Sequence, residues 1–287
     1  MEQKNTIRTI VLTLVAMIAF AANSLLARQA LGQSEIDAAG FTTVRLLSGA
    51  LTLVIIMFLR DRTKIVAEGD WNGAFYLFIY AAGFSFAYLS LAAGTGALIL
   101  FGAVQLTMIG VGLLRGESLS MLAWSGVALA AAGLTYLMLP GISAPSLEGA
   151  VLMTLSGVAW GLYSLHGRRA VDAVAATAGN FIRSIPFVLI LMLLLYSDWR
   201  ASPYGVLLAT SSGVLASALG YIVWYAALKH LTSSRAASIQ LSVPVIASLG
   251  GILFLAEPLT TRLIVASAVI LGGIALVIVS KPSTRQR

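Results

Sequence analysis

Long apolar runs recur along the whole chain, and they constrain its fold more than any other feature. Breaks rich in charged, proline and glycine residues divide the sequence into ten such runs. A membrane-spanning helix needs about 20 apolar residues, and the continuous leucine- and alanine-rich pattern differs from the alternation of barrel strands. The sequence therefore predicts an all-α integral membrane protein with ten transmembrane helices. They cover residues 8–30, 38–59, 71–93, 96–114, 120–139, 148–168, 175–196, 203–228, 234–255 and 261–280.

Composition supports this fold class. The 287 residues are 59% hydrophobic and only 10% charged, whereas a soluble domain is about 25% charged. The absence of cysteine excludes disulfides and thiolate metal sites. His166 and His230 lie far apart at predicted helix ends, so we expect neither a metal nor a cofactor.

The first apolar run allows a second interpretation. Lys4 and Arg8 precede it, and residues 19–21 resemble a signal-peptidase site. The run is long for a signal peptide, and the repeat described below requires it as a helix. A membrane helix is therefore the favoured interpretation.

Basic residues predict the orientation of the helices. Of the 18 lysines and arginines, Arg45 and Arg183 lie within helices, Arg28, Arg200 and Arg262 lie at one membrane face, and the other 13 lie at the opposite face. Cytoplasmic loops carry the excess of positive charge. Both termini are therefore predicted to be cytoplasmic. The scattered charges also argue against nucleic acid as a partner, and the lipid bilayer is the expected one.

The two halves of the chain resemble each other at an offset of about 140 residues. Matched positions occur in every helix pair: Phe20 with Trp160, Arg45 with Arg183, Phe84 with Tyr221, Gly110 with Gly250, and Gly133 with Gly273. The sequence thus predicts a first five-helix repeat over residues 1–140 and a second over residues 141–287. Because five is odd, the second repeat enters the membrane inverted, which is typical of transporters that work by alternating access at a central site.

Specific motifs carry a family resemblance over nearly the whole chain. Residues 110–119 (GVGLLRGESL) and 250–259 (GGILFLAEPL) end the fourth helix of each repeat, and residues 159–164 (AWGLYS) lie early in the second repeat. With Gly133 and Gly273, these motifs resemble the EamA-type branch of the drug/metabolite transporter superfamily. The resemblance implies export of amino acids or other metabolites, with aromatic amino acids favoured. The direction of transport is implied by the resemblance alone.

Aromatic and neutral polar side chains recur at helical spacing inside the apolar runs. An aromatic-lined cavity suits aromatic or apolar cargo. The alternatives are interfacial belts for the aromatic residues and helix-to-helix contacts for the polar ones. Trp71, Trp124 and Trp199 are assigned to belts. The candidate substrate-binding residues are Phe20, Asn23, Tyr80, Phe84, Tyr88, Phe101, Gln105, Trp160, Tyr163, Tyr221, Trp224, Tyr225 and Gln240.

Two arginines and two prolines are further candidates. Arg45 and Arg183 lie about two turns into their helices, where an arginine is costly. They are predicted to bind an anion or to close a gate. The alternative is a structural role, either as an anchor near the interface or through contacts with carbonyl oxygens. Pro186 and Pro244 are predicted to kink their helices, and Pro244 leaves the carbonyl of Gln240 without its helical donor.

The remaining features are expected to be structural. Small residues on helices five and ten, among them Gly126, Ala130 and Gly273, predict a close helix contact. Glu117 and Glu257 lie at helix ends and are expected to cap neighbouring helices. No acidic residue lies mid-membrane, which argues against antiport of lipophilic cations for protons.

The leading hypothesis is an exporter of small metabolites in a bacterial inner membrane. Sugar-phosphate, nucleotide-sugar or drug transport by the same superfamily is the alternative, although phosphates need several basic residues in the cavity. An intramembrane enzyme is disfavoured because neither histidine is placed to activate a nucleophile. A scaffold or sensor is disfavoured because it needs an output module. The sequence favours a monomer without determining the oligomeric state.

Overall fold

The computed structural model describes residues 2–60, 68–114, 116, 118–141, 144–167, 170–195, 199–228, 230–231 and 239–280. Over these residues the chain is helical and contains no strand, apart from an isolated bridge between Ile36 and Ala201. The helices are α1 (Glu2–Gly32), α2 (Ala38–Arg60), α3 (Trp71–Ala87), α4 (Ala93–Leu114), α5 (Met121–Met138), α6 (Leu147–Gly167), α7 (Ala173–Leu194), α8 (Pro203–Ser211), α9 (Gly220–Leu228), α10 (Ser242–Leu255) and α11 (Thr261–Val279). A π-helical segment (Ser212–Leu219) joins α8 to α9 without a break.

Hydropathy and exposure show how the helices meet their surroundings. Seven helical stretches in the described part of the chain are long and apolar enough to cross a membrane. Their outer faces expose large apolar side chains, such as Leu59 at 78%, Leu193 at 79% and Val279 at 69%. A water-soluble monomer rarely exposes such contiguous apolar surface, whereas lipid tails cover it. The three tryptophans assigned to belts, Trp71, Trp124 and Trp199, are likewise exposed.

Side-chain caps decide where several helices begin. Asp70 caps α3 by accepting from the Gly73 N–H, and Ser120 caps α5 by accepting from the Ala123 N–H. Asp172, Ser202 and Thr260 cap α7, α8 and α11 in the same way. Each cap satisfies a backbone N–H that would otherwise lack a partner at the helix start.

Two helix boundaries differ from the sequence prediction. The third helix ends at Ala87 rather than at residue 93, and α4 begins at Ala93 rather than at residue 96. The Glu257 carboxylate accepts a hydrogen bond from the Ala93 N–H, so a distant residue stabilises this helix start. The predicted start of the ninth helix, residue 234, lies outside the described residues, and the described helix α10 runs from Ser242 to Leu255.

The packing of helices places the core at the centre of the molecule. α2 packs against α7, α4 against α10, and α5 against α11. α3 packs against α6, and α1 packs against the continuous stretch formed by α8, the π segment and α9. Gly213 in the π segment lies against the backbone carbonyl of Arg45, which brings α2 close to that stretch. The centre is therefore lined by α1, α3, α4, α6 and α9.

Candidate functional site

A small cavity lies between the central helices. The cavity has room for about one water molecule. Seven of its nine lining residues were predicted from the sequence, and Ser24 and Leu100 were not. The lining consists of Phe20, Asn23, Ser24, Tyr80, Phe84, Leu100, Phe101, Trp160 and Tyr221.

Trp160 lies at the centre of this aromatic lining. Its ring centroid lies 4.7 Å from that of Tyr80, 5.0 Å from that of Tyr221 and 6.5 Å from that of Phe20. Ring pairs at 4.5–7 Å add about 0.5–1.5 kcal/mol beyond burial alone. Rings from α1, α3, α6 and α9 therefore form one connected cluster across both halves of the chain.

Three predicted aromatic residues form a second layer behind the lining. Tyr88 packs on Phe84 at a centroid distance of 4.7 Å, Tyr163 packs on Trp160 at 5.4 Å, and Trp224 packs on Phe20 at 5.9 Å. All three are buried. Their position supports the inner rings and places them outside the cavity surface.

Asn23 obtains the partners that its burial requires. Its Nδ2 donates to the Tyr80 hydroxyl at 3.3 Å, and its Oδ1 accepts from the Ser212 hydroxyl at 2.5 Å. A buried amide without partners would cost several kcal/mol. Asn23 thus links α1 to α3 and to the π segment while also lining the cavity.

Arg45 points inward and is 1% exposed. Its Nε donates to the Ser217 hydroxyl at 3.0 Å, and its Nη2 donates to the Tyr80 hydroxyl at 2.9 Å. The guanidinium carbon also lies 5.0 Å and 4.9 Å from the ring centroids of Tyr80 and Phe84, which favours the cation. Arg45 is therefore a buried group directly behind the cavity lining, in contact with the lining residues Tyr80 and Phe84, rather than an anchor near the membrane surface.

Two buried donors in this region keep unused hydrogen-bonding capacity. Among the described residues, Arg45 Nη1 and the Tyr221 hydroxyl have no hydrogen-bond partner. The Gln105 Nε2 also has none, but Gln105 does not line the cavity. Unpaired buried polar atoms are uncommon, and they often mark a place where a ligand or ion binds.

The remaining polar candidates lie away from the cavity lining. The Tyr225 hydroxyl approaches Gly167 at the carboxyl end of α6. Gln240 is partly exposed and precedes α10. Pro186 lies inside α7, whereas Pro244 lies in the first turn of α10, where a missing N–H is tolerated.

Arg183 has a different environment from its sequence counterpart Arg45. Its Nη1 donates to the carbonyl oxygens of Glu68 at 2.9 Å and of Gly179 at 3.2 Å. The Asn180 side chain accepts from the Asp70 N–H in the same region. Arg183 and Asn180 therefore hold the segment that leads into α3.

A titratable pair that sequence reasoning missed lies beside this segment. His166 Nε2 lies 2.5 Å from Asp70 Oδ2, and both residues line a second, open cavity. Partial burial raises the pKa of the Asp70 carboxyl, but hydrogen bonds from His166 and the Gly73 N–H outweigh it, so the pKa lies below its usual value. The signal was available in part, because an aspartate before an apolar run is a helix-capping residue.

Glu257 connects three helices at the other end of the molecule. Its carboxylate accepts from the Ala93 N–H at 2.9 and 3.0 Å, and its Oε1 lies 3.2 Å from Arg28 Nε. The prediction that Glu257 caps a neighbouring helix is confirmed. Glu117, for which the same role was predicted, lies outside the described residues.

No metal-binding group is present in the described ranges. They contain no cluster of three histidine, cysteine, aspartate or glutamate residues that would hold an ion. The lining of the central cavity presents aromatic faces, the hydroxyls of Ser24, Tyr80 and Tyr221, and the Asn23 amide.

Comparisons with known proteins show which proteins the chain resembles. The EamA-like transporter family model matches residues 147–279. An uncharacterized protein of Pseudomonas aeruginosa is 55% identical over 271 residues, covering 94% of each chain. The threonine/homoserine exporter RhtA of Escherichia coli is 28% identical over 285 residues, covering 92% of this chain and 89% of RhtA.

A solved crystal structure shares the fold. It superposes with a TM-score of 0.61 at 19% sequence identity, covering 92% of this chain and 96% of the other. The family match and the similarity to RhtA both point to a transporter, and the apolar helices fit a protein that spans a membrane. Residues 147–279 match the EamA-like transporter family, and the chain as a whole is a multi-pass membrane protein that resembles a transporter of that type.

Proposed function

We propose that the protein exports amino acids, aromatic ones foremost, from the cytoplasm across a bacterial inner membrane. The observation that carries this proposal is the aromatic cluster around Trp160, which encloses a cavity at the junction of both halves of the chain. Its rings offer flat apolar faces, and Asn23 and Arg45 add polar groups at the edge. Such a surface matches a cargo with an aromatic side chain and a polar end.

The similarity to RhtA supports amino acids as the cargo class. RhtA is named as an exporter of threonine and homoserine, and it aligns over nearly the whole of this chain. The aromatic lining favours a larger, flatter side chain than those two compounds carry. Sugar phosphates and nucleotide sugars, the alternative class, fit less well because, among the described residues, no basic side chain lines the cavity and Arg45 contacts the lining only through Tyr80 and Phe84.

The arrangement of helices supports two inverted repeats over residues 1–140 and 141–287. Exchanging the two halves maps α2 onto α7, α4 onto α10 and α5 onto α11. In each of these pairs the two helices also pack against each other. The contact of α3 with α6 maps onto that of the α8–α9 stretch with α1. Ten spanning helices in two such repeats leave both termini in the cytoplasm, in agreement with the bias of basic residues.

Alternating access follows from this near-equivalence of the halves. In this conformation the cavity has room for about one water molecule, so an amino acid does not fit in it. The Arg28–Glu257 pair holds α1, α4 and the end of α10 together at one face. We therefore propose an occluded state that opens when the helices of one repeat move against those of the other. A single chain supplies the whole lining, so a monomer suffices.

Uptake by liposomes that hold the purified protein tests the function. We expect saturable uptake of labelled phenylalanine or tryptophan that Trp160→Ala reduces at least tenfold. Trp124→Ala is the matched control, since Trp124 is 49% exposed on the outer face of α5. Phenylalanine flux equal to that of empty liposomes, from folded protein, would contradict the proposal. Uptake of threonine without phenylalanine would keep amino-acid transport and reject the aromatic preference.

A further inference from the structure

We propose that the unpaired guanidinium N–H of Arg45, together with the Tyr221 hydroxyl, binds the carboxylate of the cargo. The inference rests on the proposed function, because it assigns the chemical class that the central cavity selects. It adds that one carboxylate is the recognised group, whatever side chain the cargo carries.

The positive charge of Arg45 has no anionic partner among the described residues. In the described part of the chain the ion pairs join Arg28 to Glu257, Arg60 to Asp172 and His166 to Asp70, and none includes Arg45. Its partners are two hydroxyls and two ring faces, all of them neutral. A buried cation without an anion is costly, and a bound anion from the cargo removes that cost.

Two unpaired polar atoms of Arg45 and Tyr221 suit the two oxygens of a carboxylate. Arg45 Nη1 is a donor without a partner, and so is the Tyr221 hydroxyl, which lies beside both the guanidinium and the Tyr80 hydroxyl. A carboxylate has two oxygens, and a guanidinium presents parallel N–H groups that match them. One oxygen on Arg45 Nη1 and the other on the Tyr221 hydroxyl uses both atoms at once.

Both groups lie at the cavity or directly behind its lining. Tyr221 lines it directly, and the Arg45 guanidinium lies over the rings of Tyr80 and Phe84, which also line it. A carboxylate held there places an attached side chain against Trp160 and Phe20. The polar end and the aromatic end of the cargo therefore meet different walls.

Arg183 is a second arginine of this chain whose guanidinium donates to backbone carbonyl oxygens. Its Nη1 contacts two backbone carbonyl oxygens, and it lies near the segment leading into α3 rather than in the cavity lining. The two arginines match in sequence, but the unpaired buried N–H belongs to Arg45. Arg183→Lys is therefore the matched control for substitutions at Arg45.

Thermal unfolding of the purified full-length protein tests the assignment without measuring flux. The probes are phenylalanine, 3-phenylpropionate and phenylalaninamide at equal concentration, with threonine and threoninamide as a second pair and sodium chloride alone as the anion control. We expect the two acids with a phenyl ring to raise the unfolding midpoint and the amide to leave it unchanged. In Arg45→Gln the difference between acid and amide disappears, and in Tyr221→Phe the acid binds about tenfold more weakly. Arg183→Lys keeps the difference between acid and amide.

The outcomes separate this inference from the proposed function. Three results would overturn the carboxylate site. The acid and the amide could raise the unfolding midpoint equally, no acid could raise it, or sodium chloride alone could raise it as much as the acids do. Liposome uptake that proceeds equally with the amide would leave export standing and reject only this site. If Arg45→Gln does not fold, the wild type and Tyr221→Phe still decide the question, because Tyr221→Phe removes one hydroxyl and leaves the ring cluster intact.

Discussion

Gly126 of α5 and Gly273 of α11 contact each other directly through their backbones. A Cβ atom on Gly273 would lie 2.6 Å from the Gly126 carbonyl oxygen, and one on Gly126 would meet the Gly273 carbonyl oxygen in turn. Membrane helices associate through close packing of small residues, because lipid offers no hydrophobic driving force between them. The close helix contact predicted from the small residues of these two helices is confirmed.

Gly273→Ala is expected to separate α5 from α11 and to destabilise the protein. The added methyl group meets backbone atoms that cannot rotate away, and overpacking of this kind costs about 1–3 kcal/mol. Retention of the monodisperse peak after heating in detergent measures the loss. Gly272→Ala is the control, because a Cβ on Gly272 has no atom within 4 Å. Equal losses for the two variants would show that the contact does not stabilise the fold.

Glu257→Gln is expected to loosen the face at which α1, α4 and α10 meet. The glutamine keeps the shape but loses the charge that pairs with Arg28 and that favours the amino end of α4. We expect a loss of about 1–3 kcal/mol, since hydrogen bonds to charged groups contribute that much.

Arg60→Gln provides the comparison for Glu257→Gln. Arg60 pairs with Asp172 at 2.9 Å, but its side chain is 56% exposed. Exposed ion pairs contribute less than about 1 kcal/mol, so this variant is expected to unfold close to the wild-type temperature. If Arg60→Gln lowered stability as much as Glu257→Gln does, the burial of the Glu257 contacts would not explain their contribution.

Tyr80→Phe is expected to destabilise the centre of the molecule. The Tyr80 hydroxyl accepts hydrogen bonds from Asn23 Nδ2 and Arg45 Nη2, so its removal leaves both buried donors unpaired. Each unpaired group costs about 1–3 kcal/mol. Tyr136→Phe serves as the control, because Tyr136 is exposed on α5. Unchanged thermal unfolding of Tyr80→Phe would mean that other groups replace the hydroxyl.

Asp70→Asn is expected to lower stability at neutral pH and to lose this effect in acid. The pKa of Asp70 is lower in the folded protein than its unfolded value of about 3.9, so its charge stabilises the fold above that value. That contribution disappears as the pH falls through the folded pKa. The difference in unfolding temperature between wild type and Asp70→Asn is therefore expected to shrink below about pH 4.

Ser120→Ala separates the charge of Asp70 from capping in general. Ser120 caps α5 with a neutral hydroxyl, so its loss costs about 1 kcal/mol at every pH. An effect of Asp70→Asn that is equally constant with pH would contradict a role for the ionised carboxylate.

Much of the cavity lining was predictable from local sequence. Phe20, Tyr80, Phe84, Trp160 and Tyr221 interrupt long apolar runs at helical spacing, and the repeat pairs Phe20 with Trp160 and Phe84 with Tyr221. Spacing along a helix determines which side chains share a face. It does not determine which face meets the cavity, and Tyr225, one residue after Trp224, lies elsewhere for that reason.

The environments of Arg45 and Arg183 were decided by tertiary structure alone. The two arginines have matching positions in sequence, but one lies over aromatic rings in the cavity wall and the other contacts carbonyl oxygens near α3. The partner of Arg45 at Ser217 is 172 residues away, and Glu257 caps a helix start 164 residues away. Hydropathy and helical periodicity are properties of neighbouring residues, so the sequence by itself determined a helical membrane protein with aromatic candidates. Hydrogen-bond partners depend on how distant helices pack, so only the tertiary structure decided which of the described polar groups have a partner, as Asn23 does, and which have none, as Arg45 Nη1 does.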